Sequence, residues 1–184
     1  MSKIKVENSP YSGLGRIGLF AQTAAGAAVV NTTTESTLIN GGVGTLTVPA
    51  NGFSVGDSFV ATLGGTLSAN NNEGLTIRIK SGSTILASTG TIIMSGATSR
   101  KWILQATFVV RAIGTAGVAA IYTSGFFEYL KNASSNLEFF NATSLNNTTF
   151  DTTSSNTLNV TAQWAVASPT NSIKTENFNL YKIY

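Results

Sequence analysis

In two strands separated by an Asn-rich turn, 58–63 and 75–80, residues alternate with a period of two, and this points the chain toward a strand-built architecture. Phe59, Ala61 and Leu63 alternate with Ser58, Val60 and Thr62, and Leu75, Ile77 and Ile79 alternate with Thr76, Arg78 and Lys80. A period of two puts one set on a buried face and the other toward solvent, as in a half-buried strand. Pro49, Asn51-Gly52 and Gly56-Asp57 supply the turn chemistry ahead of this pair, and Asn70-Asn71-Asn72 supplies it between the strands. Asp57, after a glycine at a strand start, reads as a turn cap. Nothing in the stretch carries the residues of a reaction centre.

The same pattern continues in both directions. Short strands are predicted at residues 37–40 and 44–48, around Gly41-Gly42, followed by strands at 57–68 and 74–80. Ser81-Gly82-Ser83 reads as a tight hairpin loop leading into 84–88 and then 91–94. The longest predicted strand, 100–113, carries Trp102, Leu104, Ala106, Phe108 and Val110 on one face, and 118–129 follows it. Residues 131–156 are mostly Asn, Ser and Thr and read as a long exposed loop with one short strand near 148–152. Over 157–167 Leu158, Val160, Ala162, Trp164 and Val166 point inward, and Pro169 ends the run. Residues 178–184 form a last strand with apolar residues on both faces. Such a strand is either central or meets another subunit, and Tyr181 and Tyr184 favour a subunit interface. Nine or ten strands separated by turns every 8–12 residues or so indicate an all-β antiparallel sandwich or jelly roll.

A chain of 184 residues makes one domain, or one domain with an arm. Only 10% of residues are charged, which suits a neutral sandwich exterior and not a helical bundle. The net charge of +3 comes from 11 basic residues scattered singly, so no nucleic-acid partner is expected. Residues 1–36 hold no period for long and are assigned to an extended N-terminal arm, leaving 37–184 as the sandwich domain. The arm is either flexible or ordered only by a partner, in which case Ile17, Leu19, Phe20, Val29 and Val30 are the partner-binding residues. A short helix over 22–28 is weighed there, against the presence of Gly26. No secretory signal is read, and the uncharged run from Ile17 to Val30 is too short to span a bilayer, so no membrane partner is expected.

The chain has no cysteine and no histidine, which removes disulfides, Cys/His zinc sites, thiol nucleophiles and histidine triads together. Its 8 carboxylates show no spacing that gathers them, so no enzyme, cofactor or metal site is expected. Gly13-Leu14-Gly15-Arg16-Ile17-Gly18 fits G-x-G-x-x-G but lacks the strand and helix that give the motif meaning. Asn70-Asn71-Asn72-Glu73 has a single acid, a poor calcium loop and a good polar hairpin tip. Sequons at Asn31, Asn132, Asn141, Asn146, Asn147 and Asn159 read as Asn-rich surface. That surface has neutral hydrogen-bonding groups, and Tyr129, Phe139, Phe140 and Phe150 are the candidate platforms for stacking a glycan.

The run Thr45-Leu46-Thr47-Val48-Pro49-Ala50-Asn51, with Val55-Gly56-Asp57-Ser58-Phe59 after it, resembles β-rich fibre, tail and capsid-appendage proteins of double-stranded DNA viruses and phages. So do Gly64-Gly65-Thr66-Leu67-Ser68, Leu75-Thr76-Ile77-Arg78-Ile79, the run from Thr157 to Trp164, and Asn177-Phe178-Asn179-Leu180. The likeness covers residues 37–184. It implies a jelly roll of the tumour-necrosis-factor-like kind, often trimeric, attached to the virion through an N-terminal segment. A fibre head, a minor capsid protein and a capsid-decorating protein are the variants it implies, with a host glycan as a further partner.

Overall fold

The computed structural model describes residues 16–132 and 136–184. The strands, in chain order, are β1 (Ile17–Gln22), β2 (Val29–Val30), β3 (Ser36–Thr37), β4 (Gly42–Gly44) and β5 (Thr47–Val48). Then come β6 (Ser58–Ala69), β7 (Glu73–Ser81), β8 (Thr84–Met94), β9 (Ala97–Ala112) and β10 (Ala120–Leu130). The chain continues through β11 (Leu137–Asn141), β12 (Ser144–Asn146), β13 (Asn156–Trp164) and β14 (Ser172–Lys182). A nine-stranded sheet runs β11-β10-β9-β6-β14-β1-β4, with β12 beside β10 and β2 beside β14; a five-stranded sheet runs β3-β13-β7-β8, with β5 beside β13. Every pairing is antiparallel. No helix interrupts the described residues, and the two sheets close on one core, as a β-sandwich does.

Alternation holds for the inward set, whereas of the residues expected to face solvent Val60 and Thr76 are also buried and Ser58, Thr62, Arg78 and Lys80 are half-buried. Phe59, Ala61, Leu63, Leu75, Ile77 and Ile79 are buried, and Trp102, Leu104, Ala106, Phe108 and Val110 fill the same core from β9. Each large side chain removed from water contributes roughly 1.5–3 kcal/mol, most of it offset by the entropy of ordering the chain. The two indoles also satisfy their N–H groups. Trp102 Nε1 donates to Thr66 O and Lys174 O, each at 3.1 Å, and Trp164 Nε1 donates to Val29 O at 3.0 Å. Gly65 belongs to the first arrangement, because a methyl group there would lie 1.9 Å from Lys174 O. Pro49-Ala50-Asn51-Gly52 closes a turn, Gly52 N–H donating to Pro49 O at 2.9 Å while Asn51 takes φ 59°.

Four expectations change. The first is the arm. Its described part, residues 16–36, is built into the sandwich: β1 lies between β14 and β4, Phe20 packs on Phe178 with ring centroids 5.4 Å apart, and Val29 is buried. Gly26 N–H donates to Thr175 O at 2.7 Å, so 22–28 is extended and not helical. Short strands separated by Ala and Gly have no visible period, yet their amides and carbonyls complete a sheet edge.

The second concerns 148–152, where no strand forms. The Asn146 carboxamide oxygen accepts the N–H groups of Thr148, Thr149 and Phe150 at 3.2, 3.0 and 3.0 Å, withdrawing them from any ladder. The strands of this loop are β11 and β12. Third, 84–88 and 91–94 are one strand, β8, kinked where Gly90 takes φ 64° and the register with β7 slips. Fourth, Val166 is exposed, because β13 stops at Trp164. The last strand, β14, is central, between β6 and β1.

Candidate functional site

On the outer face of the large sheet β9, β10 and β11 carry Ile103, Phe126, Leu130, Leu137 and Phe139, with Glu128 between Ile103 and Phe139. Register places Ile103 opposite Glu128 and Glu128 opposite Phe139, with Leu130 opposite Leu137 at the strand ends. Phe126 stacks on Phe139 with centroids 5.2 Å apart, and Leu145 of β12 lies opposite Tyr122. Ile103, Leu137, Phe139 and Leu145 are between 43% and 56% exposed, unusual for large apolar groups that neighbour one another. Arg111 covers the Tyr122 ring at 4.3 Å and bounds this group on one side. Tyr181 stands on the same face of the sheet, opposite Val60 and Gly18. Tyr184 is 78% exposed and lies over Gly56.

Two of the four proposed stacking platforms are elsewhere. Phe150 is buried against Phe53, centroids 5.7 Å apart, because the Asn146 turn folds it inward. Tyr129 is fully buried, its ring parallel to that of the half-buried Phe140 at 6.3 Å. Neither ring can take a sugar; Phe139 remains open and Phe140 partly so. Of the arm residues, Phe20 and Val29 lie in this chain's own core, Leu19 is half-buried, and Ile17 and Val30 are exposed.

Tyr129 is held by a polar knot. Its hydroxyl accepts the Ser95 N–H at 2.6 Å and donates to Glu138 Oε2 at 2.7 Å; Glu138 Oε1 also meets Ser95 Oγ and Lys131 Nζ, each at 2.7 Å. Burial, helped by the Glu138 carboxylate, pushes the Tyr129 phenol from 10.0 to about 12. Burial alone would raise the Glu138 carboxyl. The hydrogen bonds from Lys131, Ser95 and Tyr129 outweigh it and hold the group below its usual 4.5.

A second network crosses the outside of the small sheet. Glu35 meets Arg78 Nη1 and Lys80 Nζ, both at 3.0 Å, and accepts from Thr161 Oγ1 at 2.6 Å. The Thr161 bond is the largest cause of its lowered pKa, opposed by burial and helped by Lys80 and Arg78. Arg78 Nη1 also donates to Gln163 at 2.8 Å. This network ties the loop before β3 to β7 and β13.

The third feature is a cavity of about 200 Å³ between the sheets, at the end where β14 and β9 finish. Phe53, Phe59, Phe108 and Phe150 supply aromatic wall, and Leu46 and Leu86 are among its aliphatic lining. Lys182 and Asp57 stand at its rim, Nζ 2.6 Å from Oδ1. The second oxygen of Asp57 accepts the Ser54 N–H at 2.9 Å, the turn-capping bond that its place in the sequence suggests. Sequence reading missed the cavity because its walls come from seven separated stretches of the chain, loop residues Phe53 and Phe150 among them.

Among the described residues no group of three or more Asp and Glu side chains is placed to hold a metal ion. No protein-family model matches the chain, and no curated protein is significantly similar to it in sequence.

Proposed function

We propose that this chain is a structural subunit of a virion, non-catalytic, with a jelly-roll domain that self-associates through the outer face of its large sheet. The pairing order carries this reading. Number β1, β3 with β5, β6, β7, β8, β9, β13 and β14 as strands one to eight. The first then pairs with the eighth, the second with the seventh, the third with the sixth and the fourth with the fifth. An antiparallel ribbon rolled over on itself would pair in this order, which supports the jelly-roll reading, with β10–β12 added at one edge. The tumour-necrosis-factor-like kind has the same order.

The group of Ile103, Phe126, Leu137 and Phe139 supports self-association, since such a face is better buried than wet. A trimer is the state favoured. Anchoring to fibre or capsid neighbours falls to residues 1–15, which lie outside the described residues, as Phe20 and Val29 are committed to the core. Light scattering on the eluting protein tests the reading: a species of three times the 19.1 kDa chain mass is expected, reduced to monomer by Ile103→Asp with Phe139→Asp. A monomer at every concentration overturns it.

A second reading, a glycan- or receptor-binding tip, is favoured by one observation. The open Phe139 ring is stacked on Phe126, and Asn141 lies opposite Phe126 on the next strand. A glycan array with wild type and Phe139→Ala separates the readings; no signal above background removes the second.

A further inference from the structure

We propose that the cavity between the sheets is a binding site for a small amphiphilic monocarboxylate, its apolar body inside and its carboxylate on Lys182 Nζ. The space of about 200 Å³ is open to solvent on one side and lined on the others by side chains of both sheets. Its walls are mostly aromatic and aliphatic, and such a space repels water while admitting apolar guests; a cavity of about 150 Å³ with similar walls holds benzene. The slightly larger space here suits a chain or ring of about eight carbons.

The rim selects the head group. Of its polar side chains, Ser81 donates to Asn156 Oδ1 at 2.8 Å, and Asn156 Nδ2 donates to the carbonyls of Asp151 and Ser154, each at 2.8 Å. Thr47 is bonded to Thr157 at 2.8 Å. Both Asp57 oxygens are engaged, by Lys182 and by the Ser54 N–H. The Lys182 ammonium has three N–H donors, and only one has a partner among the described residues. It lies 6.0 Å from the Phe59 ring centroid, beside the cavity wall, and its side chain is 35% exposed. The open polar capacity at the mouth is therefore two N–H donors of an ion-paired ammonium, and it is wet. It receives an anion while the tail goes inward, and with Asp57 alongside it, one negative charge is better accommodated than two.

The test uses the full chain, with octanoate, 1-octanol and octylammonium followed by titration calorimetry and by the shift in Tm. Octanoate is expected to bind and raise Tm, octanol to bind at least tenfold more weakly, and octylammonium not to bind. Lys182→Met is expected to bring octanoate down to the level of octanol and leave octanol unchanged. Leu46→Trp, which fills the cavity, is expected to abolish both; Leu86→Phe is a second filling variant should the first not fold. No heat or Tm shift with octanoate, equal affinity for octanol, or binding unaffected by the filling variants each overturns the proposal.

Discussion

The two ends of the core use the same kinds of residue to opposite effect. At one end Trp102, Phe127, Tyr129 and Phe140 pack in a chain of rings with centroids 5.8, 6.1 and 6.3 Å apart, and the Tyr129 hydroxyl is tied to Ser95 and Glu138. At the other, Phe53 touches Phe59 and Phe150 at 6.1 and 5.7 Å, yet a cavity is left beside them. The difference lies in what carries the rings. In the first group each belongs to β9, β10 or β11, where ladder register fixes the distance between neighbours. In the second Phe53 and Phe150 belong to loops, where local bonds such as Ser54 N–H to Asp57 and Phe150 N–H to Asn146 set the backbone and no ladder register fixes the ring spacing. Strand-borne aromatics pack as the ladder dictates; loop-borne ones leave room.

Substitutions can break that contrast. The largest effect is expected at the packed end, where Trp102→Ala costs about 3–5 kcal/mol in chemical denaturation; an unchanged midpoint contradicts its placement in the core. Enlarging a side chain is expected to have opposite signs at the two ends. Leu104→Phe, on the packed side, costs about 1–3 kcal/mol, whereas Leu86→Phe at the cavity gains about 0.5–2 kcal/mol. Equal signs in a melting experiment refute the comparison.

Tyr129→Phe costs about 1–2 kcal/mol, since it strands the Ser95 N–H. It also tests pH dependence. A phenol pushed up to about 12 contributes stability that is complete below pH 10 and lost as pH rises through 12, so the variant is expected to have a shallower alkaline fall in Tm. Glu138 and Glu35 act at the acid end. Their carboxyls are lowered, so their contribution is present above 4.5 and lost as pH falls below it. The smallest effect, within about 0.5 kcal/mol, is expected for Glu176→Ala, whose partner Lys174 is 36% exposed.

Much of the fold was legible because each long strand repeats its signal: β6, β7, β9 and β13 each alternate over several residues. What was not legible depends on partners far along the chain. Residues 16–36 carry no period, and their place is set by Val29 O meeting the Trp164 indole and by Gly26 meeting Thr175. Glu35 looked like an arm residue until the fold set it between Arg78 and Lys80. In the loop, β11 did alternate, Leu137 and Phe139 outward against Glu138 and Phe140, but a crowd of Asn, Ser and Thr masked it. Aromatic character alone did not separate the open Phe139 from the buried Phe150; the Asn146 side chain decided that.

The position of β14 has a consequence for biogenesis. This strand follows the other strands of the described residues in chain order, yet it is the one inserted between β6 and β1. Until it arrives, β1 and β6 have no common neighbour, and a nascent chain displays two raw edges able to hydrogen-bond to another copy. The join between β6 and β1 therefore cannot close until residues 172–182 have been synthesised, and a polypeptide stalled before Ser172 would be a candidate for aggregation and chaperone capture.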